Sequence, residues 1–245
     1  KFEKDESFLL FGIHAVGDAL LNPSRKKMRL IVTKNARDKL ASAIDVSGVN
    51  PEICEAKDLN SLIDKNSIHQ GALLEVRPLD WGSFAEVVIH SHSKLPNVVL
   101  LDRVTDPHNV GAILRSAEVF GFTSVCLPKK GVPEIYPSVV KVSTGATEFM
   151  KICRSHSANN YTLKAAEAGY RIVALDMAGK VNLKEVSESN YNRLFLVIGG
   201  EDRSVGQYIL NMADDIIGIR QQGQVNSLNA SVAAGIAMFE LGQDK

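Results

Sequence analysis

Three short stretches of this chain collect the residue types that bind ligands and handle protons. In the first, NVGAILR at 109–115, Asn109 and Arg115 flank Gly111. Arg115 lies four residues past Gly111, on the same helical face, and helical side chains lean toward the N-terminus. The glycine leaves space beneath the guanidinium, which can reach back over the helix start beside Asn109. A helical arginine that is solvated or paired on the surface is the alternative. In the second, LVIGGEDRSVG at 196–206, Gly199, Gly200 and Glu201 follow an apolar strand. Glycines there let the backbone approach a ligand, but the spacing is neither GxGxxG nor a P-loop, because no GK[ST] follows. Glu201 could equally stabilise a helix N-terminus. In the third, IIGIRQQGQVNSLNASVAAGIAMFEL at 216–241, Gln221, Gln222, Gln224, Asn226, Ser227 and Asn229 crowd the entrance of a helix with no charge between Arg220 and Glu240. Free backbone N–H groups at such an entrance invite a polar ligand. Capping by Ser227 or Asn229 accounts for only part of that cluster.

The elements around these stretches predict how they are held. Beyond position 97, strands at 98–102, 124–127, 171–176 and 194–198 alternate with helices at 110–119 and 161–168. The strands are continuous apolar runs, LFLVIGG the clearest, which predicts a parallel sheet covered on both faces. Ligands of such sheets bind at the carboxyl ends of the strands, where all three stretches fall. Asn109 is the predicted N-cap of the helix at 110–119 and Gly121 its C′ residue. The last helix, rich in small residues (Ala230, Ala233, Ala234, Gly235, Ala237), is predicted to be buried on more than one side. Residues 8–77 predict a smaller α/β unit. The domains are thus 1–77, a linker at 78–96 carrying Pro78, Gly82 and Pro96, and 97–245.

Composition narrows the function. The chain has 245 residues, 45% of them hydrophobic, with 28 basic against 28 acidic side chains. No overall field draws it to nucleic acid or membrane, so an anionic partner must be held by a local patch. Between Ser24 and Leu40 seven basic residues, among them Arg25, Lys26, Lys27 and Arg29, meet one acid, Asp38. That run is either a solvated face or a phosphate-contacting surface. Cys54, Cys126 and Cys153 are far apart and lack CxxC spacing, which predicts free thiols in a reducing cytosol. His90 and His92 are spaced like ligands on a strand but lack nearby cysteines or paired carboxylates, so no metal is expected. The apolar run at 8–11 is too short for a signal peptide or a membrane span, and a soluble cytoplasmic chain is expected.

NVGAILRSAEVFG, IGGEDRSVG and IGIRQQGQVNSLNASVA, in this order, are similar to the three motifs of the SpoU (TrmH) RNA ribose 2′-O-methyltransferases of the SPOUT superfamily. GIHAVGDALL and HQGALLEV resemble that family's small ribosomal-protein-like substrate-binding domain. The resemblance implies an α/β fold whose C-terminal segment forms a trefoil knot, a topology that pattern rules would not suggest. It also implies S-adenosyl-L-methionine as cofactor, held largely by backbone at Gly199, Ile219 and Leu228 with neighbouring Gly200 and Gly223. The family's catalytic arginine corresponds to Arg115, with Asn109, Glu201, Ser227 and Asn229 in matching motif positions. Family members are generally dimers with the site near the interface. One departure stands out: Arg220 takes the place of the usual proline of the third motif. It either loosens the loop or adds an RNA contact.

The expected function is 2′-O-methylation of a ribose, guanosine first, in ribosomal RNA. A tRNA ribose is the runner-up, and a non-catalytic RNA-binding or assembly factor that keeps the knot is the alternative from another class. A doubly wound nucleotide-binding protein would need a phosphate loop that is absent from the sequence.

Overall fold

The computed structural model describes residues 7–64, 67–79, 82–89, 96–135, 137–189, 193–200, 204–224 and 227–242. Two compact units emerge: Lys1–Asp80 with Ile135–Phe149, and Trp81–Glu134 with Met150–Lys245. The first contains β1 (Phe8–Phe11), α1 (Ile13–Leu21), β2 (Lys27–Val32), α2 (Lys34–Lys39), α3 (Ala41–Ser47), β3 (Pro51–Ile53), α4 (Ala56–Leu59) and β4 (Ala72–Val76). Its sheet has the order β1-β4-β2-β3, antiparallel except for the β2–β3 pair. Ala15, Val16, Ala19 and Leu20 recur at helical spacing and seat α1 on Leu30, Val32, Leu74 and Val76. Helices α2 and α3 are separate, with Thr33 capping α2 and a break at Leu40.

In the second unit a short π-helical turn (Ala85–Ile89) precedes β5 (Val98–Asp102), α5 (Pro107–Val119) and β6 (Ser124–Cys126). The chain then contributes α6 (Pro137–Val142) and α7 (Ala146–Phe149) to the first unit. It returns as β7 (Lys151–Cys153), α8 (Ala158–Glu167), β8 (Arg171–Leu175), β9 (Val181–Asn182), α9 (Leu183–Glu188), β10 (Leu194–Gly199), α10 (Gln207–Met212), β11 (Asp215–Gly218) and α11 (Ala230–Leu241). The sheet is parallel throughout, in the order β7-β6-β5-β10-β8-β11-β9. Phe195 and Val197 of β10 face a core shared with Tyr161 and Ala165 of α8 and Ile209 of α10. Helix α11 packs against α5, α9 and β10. Both faces are therefore covered, which is why the strands are continuous apolar runs. Cys126 and Cys153 are register partners with sulfurs 3.1 Å apart, and both are free thiols.

One expectation about helices is corrected. Asp106, not Asn109, caps α5: its carboxylate accepts from His108 N at 2.9 Å and Pro107 occupies the first turn. An Asp-Pro pair is a stronger start signal than an asparagine three residues further on. Helix α11 is buried against α5, α9 and β10 and leaves one face open. Ala230, Ala234, Ala237, Met238 and Leu241 face the interior, while Val232, Ile236 and Phe239 are 49%, 41% and 54% exposed.

Candidate functional site

The loops after β8, β10 and β11 enclose a cavity of about 370 Å³ at the carboxyl edge of the sheet. Its walls carry apolar Leu175, Met177, Ile198, Ile219 and Leu228 together with polar Asp176, Gln221, Ser227 and Asn229. Gly199 and Gly200 form part of the floor. Neither has room for a side chain, since a Cβ on Gly200 would run into the Arg103 carbonyl and one on Gly199 into the Val205 amide. Gly200 N donates to the Asp102 carbonyl at 3.1 Å, which fixes the start of that loop beside β5.

Of the residues that the sequence nominates, Gly199, Gly200, Ile219, Ser227, Leu228 and Asn229 line this cavity. Asn109 is buried in the first turn of α5, and its Oδ1 accepts from Asn229 Nδ2 at 3.0 Å. Asn229 Oδ1 in turn caps α11 by accepting from Ser231 N and Val232 N. The first and third stretches thus meet through two carboxamides. Arg115, Gly223 and Arg220 do not line the cavity. Arg115 is exposed on α5, Gly223 is exposed with open space around it, and Arg220 is exposed between the lining residues Ile219 and Gln221. Glu201 lies outside the described residues, as do His90 and His92. Among the described residues no cluster of His, Cys, Asp and Glu has the makings of a metal site.

Sequence reasoning passed over Asp176. This carboxylate directly follows β8 and is 9% exposed; its Oδ1 accepts from Ala178 N at 2.9 Å, while Oδ2 is buried with no hydrogen-bond partner among the described residues. A buried acceptor left unmade costs roughly 1–3 kcal/mol, so a ligand donor here would be strongly preferred. The signal was available in the sequence as an acid directly after an apolar strand, RIVALD.

The basic run of the first unit divides. Arg25 does not reach solvent: its guanidinium is paired with Glu148, Nη2 to Oε1 at 2.5 Å and Nε to Oε2 at 3.1 Å, and it donates to the Arg77 carbonyl at 2.8 Å. This corrects its assignment to a phosphate-contacting surface. Arg29 is exposed but holds Glu52 in a fork–fork pair, and Lys27 donates to the Asn22 carbonyl at 2.7 Å. Lys26 is exposed.

Comparison with known proteins agrees with this geometry. Residues 96–239 match the SpoU rRNA Methylase family, and residues 9–81 match the RNA 2′-O ribose methyltransferase substrate binding family. The chain is 30% identical over 241 residues to the 23S rRNA (guanosine-2′-O-)-methyltransferase RlmB of Escherichia coli, covering 96% of this chain and 97% of that one. It is also 30% identical over 240 residues to RlmB of Salmonella typhimurium, covering 96% and 97%. The AdoMet-bound rRNA methyltransferase from Sinorhizobium meliloti superposes with a TM-score of 0.78 at 22% identity, over 96% of this chain and 86% of that one. The SpoU methyltransferase AviRb from Streptomyces viridochromogenes, in complex with AdoMet, gives 0.76 at 24% identity over 96% and 89%. With both segments matched and full-length relatives at this identity, the chain belongs to the SpoU rRNA methylase family.

Proposed function

We propose that this chain transfers a methyl group from S-adenosylmethionine to the 2′-hydroxyl of a ribose in ribosomal RNA, guanosine being the first candidate. The observation that carries this is the cavity at the carboxyl edge of the sheet, walled by the second and third motifs and tied to the first through the Asn109–Asn229 hydrogen bond. Its chemistry fits the cofactor. Apolar Ile198, Ile219 and Leu228 suit a purine, backbone at Gly199 and Gly200 offers close approach, and the buried Asp176 oxygen, without a partner among the described residues, suits a ribose hydroxyl or a cation.

Bound S-adenosylmethionine supplies a methyl carbon activated by its sulfonium. The chain must bring the 2′-oxygen in line with it, and positioning of that kind provides much of the rate in a transfer. Ser227 and Asn229 present polar groups at the cavity wall, and the Asn109–Asn229 bond fixes Asn229 relative to α5. Arg115 acts as a clamp on the RNA phosphate and hydroxyl, not as a base, because a guanidinium stays protonated. The hydroxyl proton passes to that phosphate or to Glu201. Lys26 and Arg220, both exposed, offer charge to the RNA backbone. The trefoil knot belongs to the same proposal. In its support, Gly179 and Gly218 bring two backbone segments so close that a Cβ on either would strike the backbone of the other.

Asp176→Ala is expected to weaken cofactor binding about tenfold, the worth of a charge-assisted hydrogen bond. Unchanged affinity in a calorimeter would remove Asp176 from the site. A homodimer accompanies the proposal. On α11, Val232, Ile236 and Phe239 form an exposed stripe at helical spacing, and Phe239 meets Phe120 edge to face at 5.7 Å. Ile236→Asp with Phe239→Asp should convert a dimer to a monomer in sedimentation. A wild-type protein that is already monomeric argues against the dimer.

The deciding experiment maps ribose methylation in total RNA from cells with and without the protein. One 2′-O-methyl nucleotide of ribosomal RNA should disappear in its absence. Loss from a tRNA would favour the runner-up, and no loss, together with no heat on titrating cofactor, would leave an RNA-binding factor. Among the described residues no helix is long and apolar enough to cross a membrane.

A further inference from the structure

A second cavity, of about 790 Å³, opens along the same carboxyl edge of the sheet, under the loops that follow β5, β6, β7 and β10. Its lining is unlike that of the cofactor cavity. Arg103, Lys129, Lys130 and His156 face Asp102, the sole carboxylate among the described lining residues, with the amides of Asn159, Asn160 and Gln207 and the ring of Tyr208. Asp102 is already committed, its Oδ2 accepting from Gly206 N at 2.8 Å and from Arg103 Nη2 at 3.2 Å. The remaining charge of the described lining, on Lys129 and Lys130, is therefore positive. Lys129 and Lys130 are exposed, and Tyr208 keeps 46% of its surface accessible.

The two cavities meet at one wall. Arg103 Nη2 donates to the Ser204 carbonyl at 2.6 Å, Ser204 lines the cofactor cavity, and Gly206 lines the second. Arg103 does this from a left-handed backbone conformation, φ 61°, which costs energy for a residue with a Cβ. Gly131 turns the Lys129–Lys130 loop back over it, with a Cβ position 3.2 Å from Arg103 Cγ. His156 rests on Tyr161, ring centroids 5.5 Å apart, with its pKa lowered by burial and then by the charges of Lys164 and Lys129. It is thus held toward the neutral form, able to donate and accept. Helix α8, capped by Ser157, starts in the floor.

Resting on the methyltransferase reading, we infer that this second cavity is a subsite for a nucleotide adjoining the methylated one in a single-stranded stretch of the RNA. Lysines on a rim, an accessible aromatic ring and clustered amides together are the chemistry that holds an unpaired nucleotide: phosphate on the cations, base on the ring, base edge on the amides. A small anion would need only the cations. The volume falls in the range of ligand cavities, and the shared wall places its occupant beside the nucleotide whose ribose receives the methyl group.

The test uses the full-length protein, ribosomal RNA from cells lacking it, and radiolabelled cofactor. Tyr208→Ala should weaken RNA binding about tenfold, with Tyr208→Phe near wild type, since only the ring is needed for stacking. Lys129→Glu with Lys130→Glu should lower the slope of log affinity against log salt by about one to two. Cofactor affinity by calorimetry should stay at the wild-type value in all three. Wild-type RNA affinity and salt slope in the alanine and double-charge variants would overturn the subsite and leave the methyltransferase reading standing. Loss of cofactor affinity along with RNA affinity would also overturn it, because the residues would then act through the shared wall. A wild-type protein that neither binds nor methylates the RNA would overturn both.

Discussion

Arg115→Lys is expected to slow single-turnover methyl transfer about 100-fold, the penalty typical of misplacing a reacting group by an ångström or of losing a preorganised donor. Cofactor affinity should stay within about twofold, because Arg115 contributes nothing to the wall of the cofactor cavity. The substitution separates the two things an arginine provides. Lysine keeps the positive charge, so the salt-dependent attraction for RNA survives. It lacks the planar fork that grips a phosphate and a neighbouring oxygen together. Arg115 stands two turns into α5, a helix fixed at its start by the Asp106 cap and by the Asn109–Asn229 bond. Its side chain leans back toward that start. Turnover near the wild-type value with cofactor still bound would exclude the clamp. A matched loss of cofactor affinity would instead mean that α5 had shifted and loosened Asn229.

Much of the second unit is legible in the sequence because its strands are buried on both faces. β5, β8 and β10 fall within a residue of the apolar runs that predict them, and the rule that ligands gather at carboxyl ends points to the right edge of the sheet. What escapes is pairing across the chain. Nothing near Asn109 announces a partner 120 residues away, so it reads as a local cap, while the real cap, Asp106, frees it for Asn229. The stripe of α11 is another case. A helix without charge reads as buried, yet its hydrophobics divide into an inner face on α5 and α9 and an exposed outer face. Asp176 went unread for a different reason: an acid directly after an apolar strand is a common and therefore weak signal, and what singles it out is a buried oxygen with no partner among the described residues.

Arg25 is the sharpest example of this limit, and it yields the second large effect. In the sequence it opens a basic run and reads as surface; in the structure its side chain is 2% exposed against a Glu148 that is 0% exposed, 123 residues away. Asn22 Nδ2 adds a bond to Glu148 Oε2 at 2.9 Å. Glu148→Leu should cost about 3–5 kcal/mol, since it strands a buried guanidinium, whereas Arg25→Met with Glu148→Leu should recover most of that loss by replacing both charges with apolar groups. The chain has two units, so a single melting curve is a poor readout. Hydrogen exchange at the amides of β2 and β4 reports the first unit alone. A Glu148→Leu protein within about 1 kcal/mol of wild type would mean that the pair is solvated and weak, as surface pairs are. The double variant also decides the role of the basic run. If Arg25 serves only the interior, RNA affinity and its salt slope persist in the double variant, and Lys26→Glu, which leaves the buried pair intact, lowers both. A drop in salt slope on losing Arg25 would return it to the RNA surface.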